Sequence, residues 1–515
     1  MTYDRAARRA AAFLCALVLT TAPRPASGQD VPPTAPPPAV VAEDRLRALE
    51  AQNQQLQQQL LELSRRHDDL NTRFGRPPAP AAEAPLPNIP GQLGRPIPQG
   101  TDVVETGDAA LPRARVDLTQ GVRFLSPDGL YRIEFHNLTQ VEGRFYNPSG
   151  DPLVNQIDIP RLRFIFAGQV GQYFEFVSST QRGYGSLDVF DAYINLKFDP
   201  AFNVRLGRTK TPYTYEYYKM GEGDLIGMER SVFVGNLSGN RQIGAMAFGR
   251  VWEDRLEYAA GVFDGPRRSF QDFNNFKTPY ALVNARPFLH GTSDLLRYLN
   301  VGASGSYGRD KNPLEPNALR TANDETTTAA IESISPAFLK FNPGASQVGG
   351  TAFWSGDVAW FYRGLTTLAQ YNGGYQTYAL TQNRQTRSTR VPYTGGSVAV
   401  TYFLTGEEPF NRRELIPLRE FDGKDPARNP GAVEVFSRAA YLHAGANVFA
   451  SGLADPRLWS NDALVFDTGV SWYPNRYTRF TAEWQHSAFG SPVQVGPTRF
   501  TDSLELFWVR AQLYY

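Results

Sequence analysis

From Ile159 to Pro212 apolar and polar positions alternate, and the two faces carry unusual chemistry for a sheet in water. In Arg161-Leu162-Arg163-Phe164-Ile165-Phe166, one face bears Leu162, Phe164 and Phe166 and the other Arg161 and Arg163. The pattern recurs where Phe174 and Phe176 flank Glu175, where Ala192, Ile194 and Leu196 alternate with Asp191, Tyr193, Asn195 and Lys197, and where Val204 and Leu206 flank Arg205. In a soluble sandwich the apolar face is the core and the charged face meets solvent. Runs of about ten residues joined by very short turns, repeated with almost no helical pattern, favour the inverse arrangement, a barrel with its apolar face toward lipid and its charges around a wet lumen.

Carried along the chain, the alternation predicts an all-β fold over 115–515, a 16-stranded antiparallel transmembrane β-barrel. Strands are expected at Tyr131 to Phe145, four more through Pro212, then near 241–252, 255–263, 279–288, 298–307, 350–361, 364–378, 394–404, 433–446, 463–474, 477–489 and 503–515. An even count lets the sheet close without an edge. Short links (170–172, 199–201, 253–254, 363–364, 474–476) alternate with long ones (212–240, 264–278, 308–349, 447–462, 490–502), which assigns the short ones to the periplasmic side. The segment 405–432 breaks this rule and is either an elaborated turn or a missed strand pair. The final strand, Phe507, Val509, Ala511, Leu513 and Tyr515 against Trp508, Arg510, Gln512 and Tyr514, is similar to the terminal signal of outer-membrane barrels.

Ahead of the barrel the period changes. Residues 1–28 read as a secretory leader, with Arg5, Arg8 and Arg9 before the apolar run Ala10 to Thr20. A Pro-rich spacer (29–42) follows. Within 43–75, Leu46, Leu49, Asn53, Leu56, Leu60, Leu63, His67 and Leu70 succeed one another at 3,4 spacing, which predicts a short self-associating coiled-coil helix. Asn53 and His67 would set its register. A Pro/Ala/Gly-rich linker covers 76–114.

Composition narrows the function. The 515-residue chain has a formal net charge of +1, which gives no support to a nucleic-acid partner, so any selectivity must be local. No apolar run reaches the length of a spanning helix, yet 25 Tyr and 33 Phe supply material for interfacial girdles. The one cysteine, Cys15, lies in the leader, so the chain beyond it has no thiol. His67, His136, His290, His443 and His486 stand in unrelated contexts, and no nucleophile-elbow or metal-spaced pattern is present. The expectation is a protein that is not an enzyme and needs no cofactor or metal.

The sequence resembles the phosphate-selective porin O and P family. The resemblance rests on Arg161-Leu162-Arg163-Phe164 with Gly168, Asp191-Ala192-Tyr193, Val204 through Pro212, Gly261-Val262-Phe263-Asp264-Gly265, Tyr402 through Glu408, Gly431 through Val435 with Arg438, and Val470 through Asn475. It covers about residues 130 to 515 in family order. It implies a trimeric outer-membrane channel in which anions are drawn to lumenal cations, and a loop after Pro212 that folds inward. On that footing Arg161, Arg163, Arg205, Arg208 and Lys210 are the expected anion-guiding track, with Arg230 and Arg241 flanking the inward loop and Arg250 and Arg286 lining adjacent strands. The residues leave a second reading open, in which these arginines pair with Glu134, Glu142, Glu175, Asp191, Glu257 and Glu483 and only keep a general pore wet. The long loops mix Arg267, Arg268, Lys277, Arg309, Lys311 and Arg320 with Asp310, Glu315, Asp324, Glu325 and Glu332, and Tyr213, Tyr215, Tyr217 and Tyr218 make the loop start aromatic. The expected function is passive diffusion of small hydrophilic solutes, with anions such as phosphate preferred. Expected partners are outer-membrane lipid, two further copies of the chain and, through the coiled coil, the cell wall.

Overall fold

The structure, a computed structural model, describes residues 115–117, 121–150, 153–183, 186–267, 270–322, 335–382, 384–413 and 415–515. The expected leader, spacer, coiled-coil seam and linker lie outside these residues. Two short strands come first, β1 (Arg115–Asp117) and β2 (Val122–Leu125). The wall then begins with β3 (Tyr131–Asn147), β4 (Gln156–Val170), β5 (Phe174–Gly183), β6 (Ser186–Asp199) and β7 (Phe202–Lys210). It continues through β8 (Arg241–Val251), β9 (Leu256–Phe263), β10 (Thr278–Ala285) and β11 (Tyr298–Asn312). A small hairpin, β12 (Ala318–Arg320) and β13 (Ala337–Lys340), stands apart from the wall. The remaining wall strands are β14 (Ala345–Tyr362), β15 (Leu365–Gln382), β16 (Gln385–Phe403), β17 (Ala432–Ala444), β18 (Asp462–Asn475), β19 (Thr478–Gln494) and β20 (Phe500–Tyr514).

Each wall strand pairs antiparallel with the next, and β20 returns to β3 from Glu505↔Asn147 to Tyr514↔Leu138, which closes a 16-stranded barrel. Closure gives every wall strand two hydrogen-bonded neighbours, the condition for crossing hydrocarbon with strands. At the seam, Asn137 and Tyr515 exchange backbone hydrogen bonds at 3.0 and 3.1 Å. Below that point β2 takes over the same edge of β3, with Val122 opposite Phe135 and Leu125 opposite Arg132, and β1 pairs with β2 in turn.

The faces are inverted relative to a soluble sheet. On β4, Phe164 is 58% exposed while Arg161 and Arg163 are 0% and 2% exposed. Phe135, Phe166 and Phe176 form one outward aromatic row, with ring centres 5.1 and 5.2 Å apart. Among the described residues no helix is long and apolar enough to cross a membrane. An arginine placed on the lipid face should therefore be costly. Phe164→Arg is expected to lower the stability of the barrel in bilayers by about 2–4 kcal/mol, read from denaturant unfolding in lipid vesicles, whereas the same protein should tolerate Phe164→Leu.

The expected strands are all present, and three differences have physical causes. β15 and β16 run on beyond 378 and 394 to a tight hairpin at Arg384, which has φ 62. The tip of this extension, from Gln382 through Arg390, is polar on both faces, so no alternation marks it. The 404–431 link holds no strand among the described residues and is an elaborated turn. In the link expected at 308–349, β11 and β14 each extend and β12 and β13 form a roof at the long-loop end. There Leu319, Phe338 and Leu339 are buried, Phe338 stacks on Phe489, the Ser460 N–H donates to the Phe338 carbonyl (2.9 Å) and the Asn342 N–H to Leu453 (2.7 Å).

Candidate functional site

Residues 211–240 leave the wall after β7 and fold into the barrel. The segment carries two short helices, α1 (Tyr215–Lys219), capped by the Thr214 hydroxyl accepting from the Tyr217 N–H at 3.0 Å, and α2 (Val232–Leu237). Part of its apolar surface faces one wall. Tyr215, Met220, Leu225 and Ile226 pack with Ala359, Phe361, Leu368, Ala399 and Phe436 of β14–β17. Phe233 of α2 sits over Gly395, where an added Cβ would come within 2.5 Å of the Phe233 ring. Burying that face against the β14–β17 wall leaves the polar face of the loop toward β3–β8 and β20.

The far wall holds the loop through its backbone. Arg438 of β17 donates to the carbonyls of Glu229 (2.7 Å) and Ile226 (3.3 Å), Arg479 of β19 to Leu225 (2.9 Å) and Arg510 of β20 to Met228 (2.6 Å). Arg412, from the 404–431 turn, reaches Asp224 and Leu225 at 3.3 and 3.4 Å. The Met228 N–H in return donates to Glu483 (2.7 Å). β7 and β17 are the fifth and thirteenth of the sixteen wall strands, so the loop spans the lumen. The tyrosines take the packed role: Tyr213 bonds the Trp354 carbonyl (3.2 Å) and Tyr217 the Asn240 side chain (3.3 Å).

On the polar side, one carboxylate collects four cations. Glu222 lies 2.6 Å from Arg163, 3.3 Å from Lys210, 3.3 Å from Arg241 and 3.4 Å from Arg230. Arg241 also pairs with Asp191 at 3.0 Å. Burial opposes ionisation of Glu222, a loop residue, but Arg163, Lys210, Arg241 and Arg230 outweigh it and hold its carboxyl well below the usual range. Arg208 completes the group, donating to the Phe190 carbonyl (3.2 Å), while Arg163 and Arg241 stack on the Phe190 ring at 4.1 and 3.6 Å. The group thus brings Arg163, Arg208, Lys210, Arg230 and Arg241 together with Asp191 and Glu222, and with Asp188 near Arg208, in a buried, polar setting rich in positive charge.

The expected track is partly assembled. Arg163, Arg208, Lys210, Arg230 and Arg241 come together, although Arg230 lies within the loop rather than beside it. Arg205 and Arg208 differ in parity, so a regular strand cannot turn both inward. Between them Gly207 adopts φ 124, where any Cβ would meet the Ala192 carbonyl at 2.3 Å, and the irregularity buries both. Arg205 is held by neutral groups, Asn195 (2.8 Å) and Thr209 (3.0 Å), and stacks on Tyr193. Arg161 joins a neighbouring lattice, bidentate to Glu229 at 2.9 and 2.6 Å, with Arg510 bridging Glu229 (2.7 Å) and Glu142 (2.9 Å). Arg250 and Arg286 stand at the turn end, bonded to Asp254, away from the cluster.

Of the carboxylates expected to answer lumenal arginines, Asp191 answers Arg241, Glu142 answers Arg144 and Arg510, and Glu134 answers Arg132 and Arg123. Glu175 pairs with Lys197 and Glu257 with Lys219, while Glu483 accepts from the loop backbone. The dominant partners, Glu216, Glu222 and Glu229, come from the loop, where no alternation of the sequence singles them out. Arg479 and Arg510 were legible from parity alone, since both sit on the inward face of alternating strands. Arg438 pairs with Asp467 at 2.7 Å and Arg412 with Glu434.

A sequence profile described as Phosphate-selective porin O and P matches residues 142–488. No curated protein matches. Among solved structures the chain is similar to OmpT, an outer membrane protein of Vibrio cholerae (TM-score 0.46, 12% identity, 75% of this chain and 98% of that one). It is also similar to an anion-selective porin from Comamonas acidovorans (0.45, 9%, 75% and 100%) and to the outer membrane channel DcaP of Acinetobacter baumannii (0.43, 8%, 75% and 97%). The profile spans about two thirds of the sequence, and the chain belongs to the phosphate-selective porin O and P family.

Proposed function

We propose that this porin passes small hydrophilic solutes passively across the outer membrane and prefers anions, phosphate and other oxyanions among them. The observation that carries the preference is the gathering of Arg163, Arg208, Lys210, Arg230 and Arg241 on the polar side of the inserted loop, where Arg163, Lys210, Arg230 and Arg241 share the single carboxylate of Glu222. An oxyanion entering there exchanges its hydration shell for guanidinium and ammonium donors distributed over several sites, which permits both entry and exit. Arg205, held by neutral groups, extends the basic surface toward the turn end. Arg161, Arg412, Arg438 and Arg510, by contrast, are answered by carboxylates and serve to hold the loop.

The second reading, a general pore of weak selectivity, is favoured by that neutralised lattice. In both readings the chain assembles as a trimer, and the heptads ahead of the barrel associate on the periplasmic side and tether the outer membrane to the cell wall. Planar-bilayer recordings across a potassium chloride gradient separate the two. An anion-directed reversal potential is expected, and a potential near zero or of opposite sign would remove the preference while leaving the channel. Deleting residues 29–113 is expected to leave conductance intact while abolishing any envelope phenotype of the tether.

A further inference from the structure

We infer that Glu222 is a tethered counter-anion that occupies the place a permeating oxyanion takes, so that passage proceeds by exchange of one negative group for another. The inference deepens the anion-preferring reading and rests on it.

Three observations converge on this role. The first is the form of the contact. Arg163 alone meets Glu222 at short range, 2.6 Å, while Lys210, Arg230 and Arg241 stand at 3.3–3.4 Å. A structural ion pair needs one partner at good geometry, whereas four cations gathered loosely around one carboxylate suit a guest that comes and goes. The cations belong mostly to the wall: Arg163 to β4, Lys210 to β7 and Arg241 to β8. The carboxylate belongs to the loop, so the basic niche persists when the carboxylate leaves.

The second is the backbone on either side. Gly221 and Gly223 flank Glu222, and glycine accepts a range of backbone conformations closed to other residues. The third is a second set of guanidinium groups within reach. A polar cavity of about 10 Å³, room for a single water, adjoins the carboxylate and is lined by Glu222, Met228, Arg479, Thr481, Arg510 and Gln512. Its two arginines are the ones that hold the Leu225 and Met228 carbonyls, so a displaced Glu222 turns from one set of guanidinium groups to another. Without a replacement, its departure would take from Arg163, Lys210, Arg230 and Arg241 the carboxylate that all four share. An incoming small oxyanion restores the balance.

A built-in competitor makes a testable difference to affinity. Inorganic phosphate added to one side should block chloride current through the channel formed by the full chain, and Glu222→Gln removes the competitor while keeping the side chain's size. The half-blocking phosphate concentration is expected to fall at least fivefold in Glu222→Gln. An unchanged or higher value overturns the inference, as does absence of block in both proteins. Should Glu222→Gln fail to fold, crystals of the unaltered protein grown in selenate decide the matter. An anomalous peak among Arg163, Lys210, Arg230 and Arg241 with Glu222 turned away supports the exchange, and no peak with Glu222 in place refutes it. A cation-directed reversal potential in the unaltered protein defeats the anion reading itself, whereas an anion-preferring channel with equal block in both proteins defeats only the tethered counter-anion.

Discussion

Replacing residues 214–238 by four Gly/Ser residues is expected to raise single-channel conductance on the order of fivefold, because a 16-stranded wall encloses an aqueous lumen once nothing crosses it. The link is geometrically easy, since Lys210 and Arg241 are directly paired at the ends of β7 and β8. The deletion removes the apolar packing on Ala359, Phe361, Leu368, Ala399 and Phe436 and wets that wall, so the unfolding temperature should fall as conductance rises. Arg438, Arg479 and Arg510 lose carbonyl acceptors but gain water, and the barrel should still close through its own strand pairs. Conductance that stays at its original value would mean that current bypasses the loop, and the constriction would have to be sought elsewhere.

The second large effect concerns sign. In the triple variant Arg163→Gln, Lys210→Gln, Arg241→Gln, the cluster keeps Arg208 and Arg230 against Asp191 and Glu222, so the local excess of positive charge vanishes. A unit charge about 4 Å from a permeating ion is worth about 1 kcal/mol even at the dielectric constant of bulk water. Three such charges should change the anion-to-cation permeability ratio by at least about tenfold. The ratio is read from the reversal potential across a salt gradient. A ratio indistinguishable from that of the parent would show that the selectivity of the pore, if any, is set at its mouth. Neutral glutamines are preferable to acidic replacements here, because Glu222 and Asp191 would otherwise face uncompensated negative charge in a buried site.

The sequence was readable where one physical constraint acted on every second residue. Between the two edges of the hydrocarbon, lipid demands an apolar side chain on one face and the lumen accepts a polar one on the other. Leu162, Phe164 and Phe166 against Arg161 and Arg163 therefore announced both strand and orientation. Beyond lipid height the constraint lapses, which is why the hairpin from Gln382 through Arg390 and the Leu319/Phe338 roof left no periodic trace. The candidate site divides along the same line. Arg161, Arg163 and Arg205 could be placed on the inward face by alternation. The roles of Glu216, Glu222 and Glu229 depended on where a loop lands eight strands away, which no local pattern encodes. Arg208 and Lys210 were included against strict parity, and the backbone of Gly207 is the reason they fit.

The joint below Tyr515 has a mechanical consequence. β2 grips β3 through residues Val122 to Leu125 only, and β1 grips β2 in antiparallel register. Tension arriving along the polypeptide from before Arg115 therefore loads a short zipper, whose pairs open one after another, before it reaches the longer span by which β20 and β3 are joined. The β1–β2 pair works as a fuse: a tug on the chain before it peels it away and leaves the cylinder shut.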